Sequence, residues 1–144
     1  MQTVSGTVSM KWVGSNLMTG ADSRGTPLVT GKWIDSEPAW TGLKSSDLLL
    51  LSAASCSAYD IVSILKKQRE DLQDLEVVCT GEQEVKPPNR FTHIHLHYII
   101  KGRLDPNKVA RAIKLSEDKY CSVINTLRPS VDITSDFEII DEGS

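Results

Sequence analysis

Three cysteines and three histidines are the residues of this chain with the most chemistry to offer: Cys56, Cys79, Cys121, His93, His95 and His97. A cysteine thiolate attacks peroxides and disulfides, whereas a neutral buried thiol behaves as a small hydrophobe. Cys56 and Cys121 are too far apart for a CxxC motif, and their spacing alone does not bring them together. Cys56 stands in a run of small residues, Ser52 to Ala58. In a helix, Ser52, Ala53, Tyr59 and Asp60 share its face. A polar stripe of Ser52, Asp60 and Ser63 on an otherwise apolar helix must meet polar partners or bear a desolvation cost. Two readings stay open: a site, or a hydrogen-bonded packing seam with a buried thiol. The second is the commoner fate of a free cysteine. Cys79 reads as a structural thiol.

The histidines alternate along residues 93–97, which puts all three on one face of a strand, where two of them could bind zinc. We favour polar rings on an exposed or interfacial strand face, because no cysteine or carboxylate cluster stands nearby in sequence to complete a ligand set. A histidine near a subunit interface could also tune the thiols. No metal and no cofactor is expected. There is no glycine-rich phosphate loop, serine nucleophile elbow or HExxH motif.

These residues need elements to position them. Residues 2–13 alternate loosely and predict a strand; Gly14-Ser15-Asn16 is a turn signal, Leu17-Met18-Thr19 a short apolar piece, 20–25 a loop and 26–33 the next strand. Residues 34–45 read as a connection, with Trp40 either a lid over a cavity or, as we prefer, ordinary packing. Residues 46–70 carry the strongest helix signal: Ser45 or Ser46 caps it, Asp47 suits its positive end, and Lys66-Lys67-Gln68-Arg69-Glu70 is a solvated tip. Its first part is apolar or small nearly all round, the pattern of a helix buried in a fold or an oligomer. Strands follow over 74–82 and 90–102. In the latter, Ile94, Leu96, Tyr98 and Ile100 lie on the face opposite the histidines. Asp105-Pro106 starts a second helix that runs through Cys121 to Arg128, before Pro129. Residues 131–140 predict a last strand, and the acidic tail 141–144 reads as frayed. The order lacks regular βαβ alternation, so the predicted class is α+β.

The 144 residues fit a single domain, 1–144. A net charge of −3 argues against a general nucleic-acid binder, which needs a basic surface. No apolar run approaches the roughly 20 residues of a membrane span; the longest, Leu48–Leu51, is four leucines. The N-terminus has neither a basic nor an apolar leader region, so the expectation is a cytoplasmic protein with no membrane partner. Three cysteines in such a compartment do not make a disulfide framework.

Asp47-Leu48-Leu49-Leu50-Leu51-Ser52-Ala53-Ala54-Ser55-Cys56-Ser57-Ala58-Tyr59-Asp60 resembles the first cysteine motif of the OsmC/Ohr superfamily. Leu115-Ser116-Glu117-Asp118-Lys119-Tyr120-Cys121-Ser122-Val123 resembles its second, and Phe91-Thr92-His93-Ile94-His95-Leu96-His97-Tyr98 the strand between them. The resemblance spans nearly the whole chain. It implies antiparallel sheets wrapped around long central helices in an intertwined homodimer, with sites at the subunit interface. It also implies thiol-dependent reduction of organic hydroperoxides: Cys56 attacks, Cys121 resolves, and an external dithiol reduces the disulfide. Peroxidase members activate the attacking thiol with an arginine from the N-terminal hairpins, held by a glutamate ten positions before the cysteine. Here that position is Ser46, with Asp47 beside it, and Arg24 is the only arginine before Arg69. Arg24 and Asp47 are therefore the candidates for activation, and Asp60 a supporting polar group. The rival implications are a binding module for a small apolar or thiol ligand in the intersubunit crevice and a redox sensor, each with little peroxidase turnover.

Overall fold

The computed structural model describes residues 1–33 and 40–141, excepting the side chains of residues 33, 40 and 41, so the alternatives for the Trp40 side chain lie outside the described residues. Its contacts divide the chain into two compact units, Met1–Leu49 and Leu50–Ser144.

The first unit is a four-stranded antiparallel meander of β1 (Ser9–Gly14), β2 (Asn16–Ala21), β3 (Pro27–Trp33) and β4 (Trp40–Thr41). Residues 2–8, predicted as strand, lie outside it and are exposed; alternation without a pairing partner is not enough to make a strand. The predicted short piece and the first loop residues are instead the second strand, Gly20 and Ala21 pairing with Leu28 and Pro27. Gly31 has φ +92, and a Cβ there would stand 1.9 Å from the Asn16 carbonyl oxygen, so the β2–β3 pair requires glycine. Between those strands the Asp22 carboxylate accepts the Arg24 and Thr26 amides at 2.8 and 2.9 Å. Those bonds, the Thr26 one foremost, hold its carboxyl below the ordinary range.

Helix α1 (Ser45–Lys67) begins in the first unit and runs through the second. It ends three residues before the predicted 70. The Glu70 amide bonds the Leu65 carbonyl, the Arg69 amide bonds that of Lys66, and Arg69 takes φ 59, which is a Schellman stop with arginine in the usual glycine position. Ala53, Ser57, Ile61 and Leu65 form a buried stripe at four-residue spacing. Leu51 and Tyr59 lie off that stripe and are exposed. Among the described residues α1 is the one helix long and apolar enough to cross a membrane. The expectation that no apolar run approaches that length counted the leucines alone, and alanines and serines extend the apolar stretch of α1 beyond them. Its stripe belongs to the chain's own hydrophobic core.

The sheet of the second unit has the order β5 (Asp71–Gln83), β6 (Phe91–Arg103), β7 (Asp132–Ile140). β5 and β6 are antiparallel, but β7 is parallel to β6, so this sheet is mixed rather than antiparallel. Ile94, Leu96, Tyr98 and Ile100 are fully buried, as their alternation predicts. They share a core with the α1 stripe, with Val109, Ala112 and Ile113 of α2 (Pro106–Leu115), and with Cys121, Ile124 and Val131. Asp105 caps α2 by accepting the Asn107 amide at 2.9 Å. The predicted continuous second helix is broken. A π-helical turn, Ser116–Tyr120, follows α2, and Cys121 leaves it in extended conformation (φ −76, ψ 104) as the N-cap of α3 (Ser122–Leu127). The class is α+β, as the order of elements predicts.

Candidate active site

Cys56 lies half-buried in the middle of α1, and Cys121 is fully buried at the break between the π-turn and α3. The fold brings Cys56 close to the segment that carries Cys121. The Ser122 hydroxyl stands 3.9 Å from Cys56 Sγ, and Cys121 Sγ accepts the Ile124 amide at 3.4 Å. Burial above all pushes the Cys121 thiol up to about 12, the Ile124 amide opposes the shift, and the neighbouring Cys56 adds to it.

A buried polar network joins the two thiol-bearing segments. Ser57 Oγ lies 2.6 Å from Tyr98 Oη and 3.2 Å from Ser116 Oγ. Ser116 donates to Asp60 Oδ2 at 2.9 Å, and Tyr98 donates to Glu117 Oε2 at 3.0 Å. Ser135 donates to the other Glu117 oxygen at 3.0 Å. Burial raises the Tyr98 phenol well above its ordinary value; Ser57 lowers it and the Glu117 charge raises it. Of the predicted polar stripe, Asp60 thus meets Ser116. Sequence reasoning missed Ser57, Ser116 and Glu117. The available signal was Ser57 itself, the one polar residue at the Ala53–Ile61–Leu65 spacing, opposite a tyrosine on an apolar strand face.

Arg24 is exposed in the β2–β3 loop and Asp47 is exposed in the first turn of α1, both in the first unit. Both thiols belong to the second. Cys79 is half-buried on β5, and burial raises its thiol too. One turn beyond Cys56, a cleft of about 390 Å³ is lined by Tyr59, Asp60, Ser63, Ile64, Lys67, Gln68, Leu115 and Tyr120. The Gln68 Oε1 atom is buried and without a hydrogen-bond partner.

The histidines lie on the face of the second sheet opposite the core. Parallel β7 brings the carboxylates of Asp136 and Glu138 to them, against the expectation that no carboxylate cluster stands nearby. His95 Nε2 and His97 Nδ1 both bond Asp136 Oδ1, at 2.9 and 2.7 Å, and His97 Nε2 bonds Glu138 at 3.0 Å. Thr134 Oγ1 sits 2.7 Å from both His93 Nε2 and His95 Nδ1. Both ring nitrogens of His97 meet carboxylates, and those two bonds, the Asp136 one foremost, raise its pKa. Among the described residues no group of three or more His, Cys, Asp or Glu is arranged to hold a metal ion.

A paired thiol on a central helix and a broken second helix, backed by a short mixed sheet, define the OsmC-like class. Residues 37–136 match the family described as OsmC-like protein, and the chain belongs to that family. It is 41% identical over 133 residues to Protein YhfA of Escherichia coli strain K12, covering 91% of this chain and 96% of that protein. A hypothetical protein from Aquifex aeolicus VF5 superposes with a TM-score of 0.87 at 28% identity, over 98% of this chain and 100% of that one. The family includes hydroperoxide resistance proteins. The fold of one from Legionella pneumophila, named OsmC, matches with a TM-score of 0.69 at 16% identity, over 96% of this chain and 99% of that one.

Proposed function

We propose that the protein is a cytoplasmic, homodimeric thiol peroxidase acting on organic hydroperoxides in oxidative-stress defence, a single OsmC-like domain over residues 1–144. The observation that carries this is the approach of Cys56 to the Cys121 segment, its Sγ 3.9 Å from the hydroxyl of Ser122, the next residue. The Cys56 thiolate attacks the outer peroxide oxygen; the O–O bond breaks, Cys56 becomes a sulfenic acid, and the departing alkoxide takes a proton to become an alcohol. Cys121 then forms the S–S bond. Its proton leaves with the sulfenic hydroxyl as water. An external dithiol returns both thiols and is itself oxidised to a disulfide. Arg24 is the candidate cation for the Cys56 thiolate and Asp47 the candidate to hold it, in place of the family glutamate where this chain has Ser46. The exposed Leu51 and Tyr59 on α1 fit burial against a second copy.

The test is stopped-flow consumption of cumene hydroperoxide and of H₂O₂ by the reduced protein, with Cys56→Ser and Cys121→Ser alongside. Rapid loss that disappears in Cys56→Ser, with a disulfide absent from both variants, is expected. Slow loss that is the same in wild type and Cys56→Ser overturns the reading.

One observation favours a second reading, a small-ligand-binding or redox-sensing protein. The cleft beside Cys56 has an aromatic and aliphatic wall and an orphaned amide oxygen. A small apolar ligand would be held against that wall without turnover. Slow peroxide loss together with ligand-induced quenching of the cleft tyrosines would favour it.

A further inference from the structure

We propose that Tyr98, Ser57, Ser116 and Glu117 are positioning residues that set the reach of Cys121 toward Cys56. This rests on the thiol-pair reading above and names the groups that make the pair work.

Cys121 sits where a regular helix would not put it. The π-turn is closed by the Cys121 amide donating to the Ser116 carbonyl at 2.7 Å, after which the chain turns extended. Such π-turns are rare and occur frequently at functional sites. Here the holding groups are side chains. Ser116 opens the turn, and its hydroxyl reaches two α1 residues: Ser57, which follows Cys56 in the chain, and Asp60, one turn on. Glu117, next in the turn, receives Tyr98, which also contacts Ser57. Asn125 closes the far side by donating to the carbonyls of Glu117 and Cys121 at 3.1 and 2.8 Å.

The proton count gives the chain a direction. Tyr98 donates to Glu117, which leaves its oxygen to accept from Ser57, and Ser116 donates to Asp60. That uses all three hydroxyl protons. The Ser116 proton is shared with Ser57, at 3.2 Å the longest hydroxyl contact of the network. An apolar core would not require any of this, since replacing hydrogen-bonded partners by apolar groups is often neutral for stability. What the network adds is a direct tie between the segment carrying one thiol and the segment carrying the other. A disulfide forms only within a narrow range of geometry, so that tie governs how readily the bond closes.

The experiment is a redox titration of the whole protein with reduced and oxidised glutathione. It reads the effective concentration of Cys121 toward Cys56 from the ratio of intramolecular disulfide to dithiol. Tyr98→Phe keeps the ring and removes the hydroxyl. Ser57→Ala is the second variant, should the first fail to fold. Both are expected to lower the effective concentration about tenfold, the scale of one lost buried hydrogen bond. Ile94→Val, a core change outside the network, serves as the packing control. The proposal is overturned if Tyr98→Phe and Ser57→Ala match wild type, or if Ile94→Val shifts the equilibrium as much as they do. No peroxide is involved, so wild-type protein that forms the disulfide here yet leaves peroxide untouched refutes the peroxidase reading alone. Wild-type protein that forms no intramolecular disulfide overturns the thiol pair and the positioning role together.

Discussion

The buried Cys121 thiol should make the protein lose stability at alkaline pH in a way that Cys121→Ser does not. Its side chain is 0% exposed, and its pKa stands at about 12 in the fold against an ordinary 9.0. Above the ordinary value the unfolded chain sheds the thiol proton while the folded chain keeps it, so unfolding releases a proton and rising pH favours it. The stability tied to the neutral thiol is thus whole below about pH 9 and is lost as pH climbs toward 12. The limiting slope is about 1.4 kcal/mol per pH unit, so about 2 kcal/mol is gone near pH 10.5. The assay is urea unfolding of wild type and Cys121→Ser at pH 8 and near pH 10.5, at one protein concentration and with reductant present. Tyrosine and lysine titration is common to both proteins and drops out of the difference between them. Wild type should lose about 2 kcal/mol more than the variant over that span. Equal losses would refute the reasoning, because they would mean that Cys121 ionises in the fold as readily as in the open chain.

Two further outcomes follow from the same geometry. An NMR titration should place the His97 midpoint above the ordinary histidine value, and Asp136→Asn should lower it, since Asp136 is the first cause of the shift; the stabilising contribution of His97 is whole below the ordinary pKa and is lost as pH rises through the raised one. Leu65→Ala, at a fully buried position of the α1 stripe, should cost about 2–5 kcal/mol in urea unfolding, the range for a leucine cavity in a close-packed core.

What was legible in the sequence was whatever depends on local pattern. The alternation of Ile94, Leu96, Tyr98 and Ile100 gives the buried face of β6, and Asp105-Pro106 gives the start of α2, because both are set by short-range geometry. The π-turn was not legible. Leu115 to Leu127 holds no proline or glycine to announce a break, and the side chains that meet the π-turn, Ser57, Tyr98 and Asp60, come from distant positions. The parallel pairing of β7 was hidden for the same reason, and with it the carboxylates that surround His95 and His97. Residues 2–8 show the opposite error, since their alternation has no strand to pair with.

The two thiols differ in a way that bears on which one attacks. A nucleophile must be reached by peroxide and must hold a negative charge before the reaction; Cys121 is buried completely, and burial strongly opposes its ionisation. Cys56 is half-buried. The assignment of Cys56 as attacker and Cys121 as resolver therefore has a physical ground apart from family resemblance. The nearness of the two thiols bears on the proposed second step. While Cys56 is a thiolate, its charge raises the cost of ionising Cys121. Once Cys56 has become a neutral sulfenic acid that penalty is gone, and Cys121 gives up its proton more easily at the point where it must attack. Burial remains the larger barrier, so resolution is the step most sensitive to small changes of geometry. On the positioning proposal, that is the step at which the ties from Ser57 and Tyr98 to the π-turn would act.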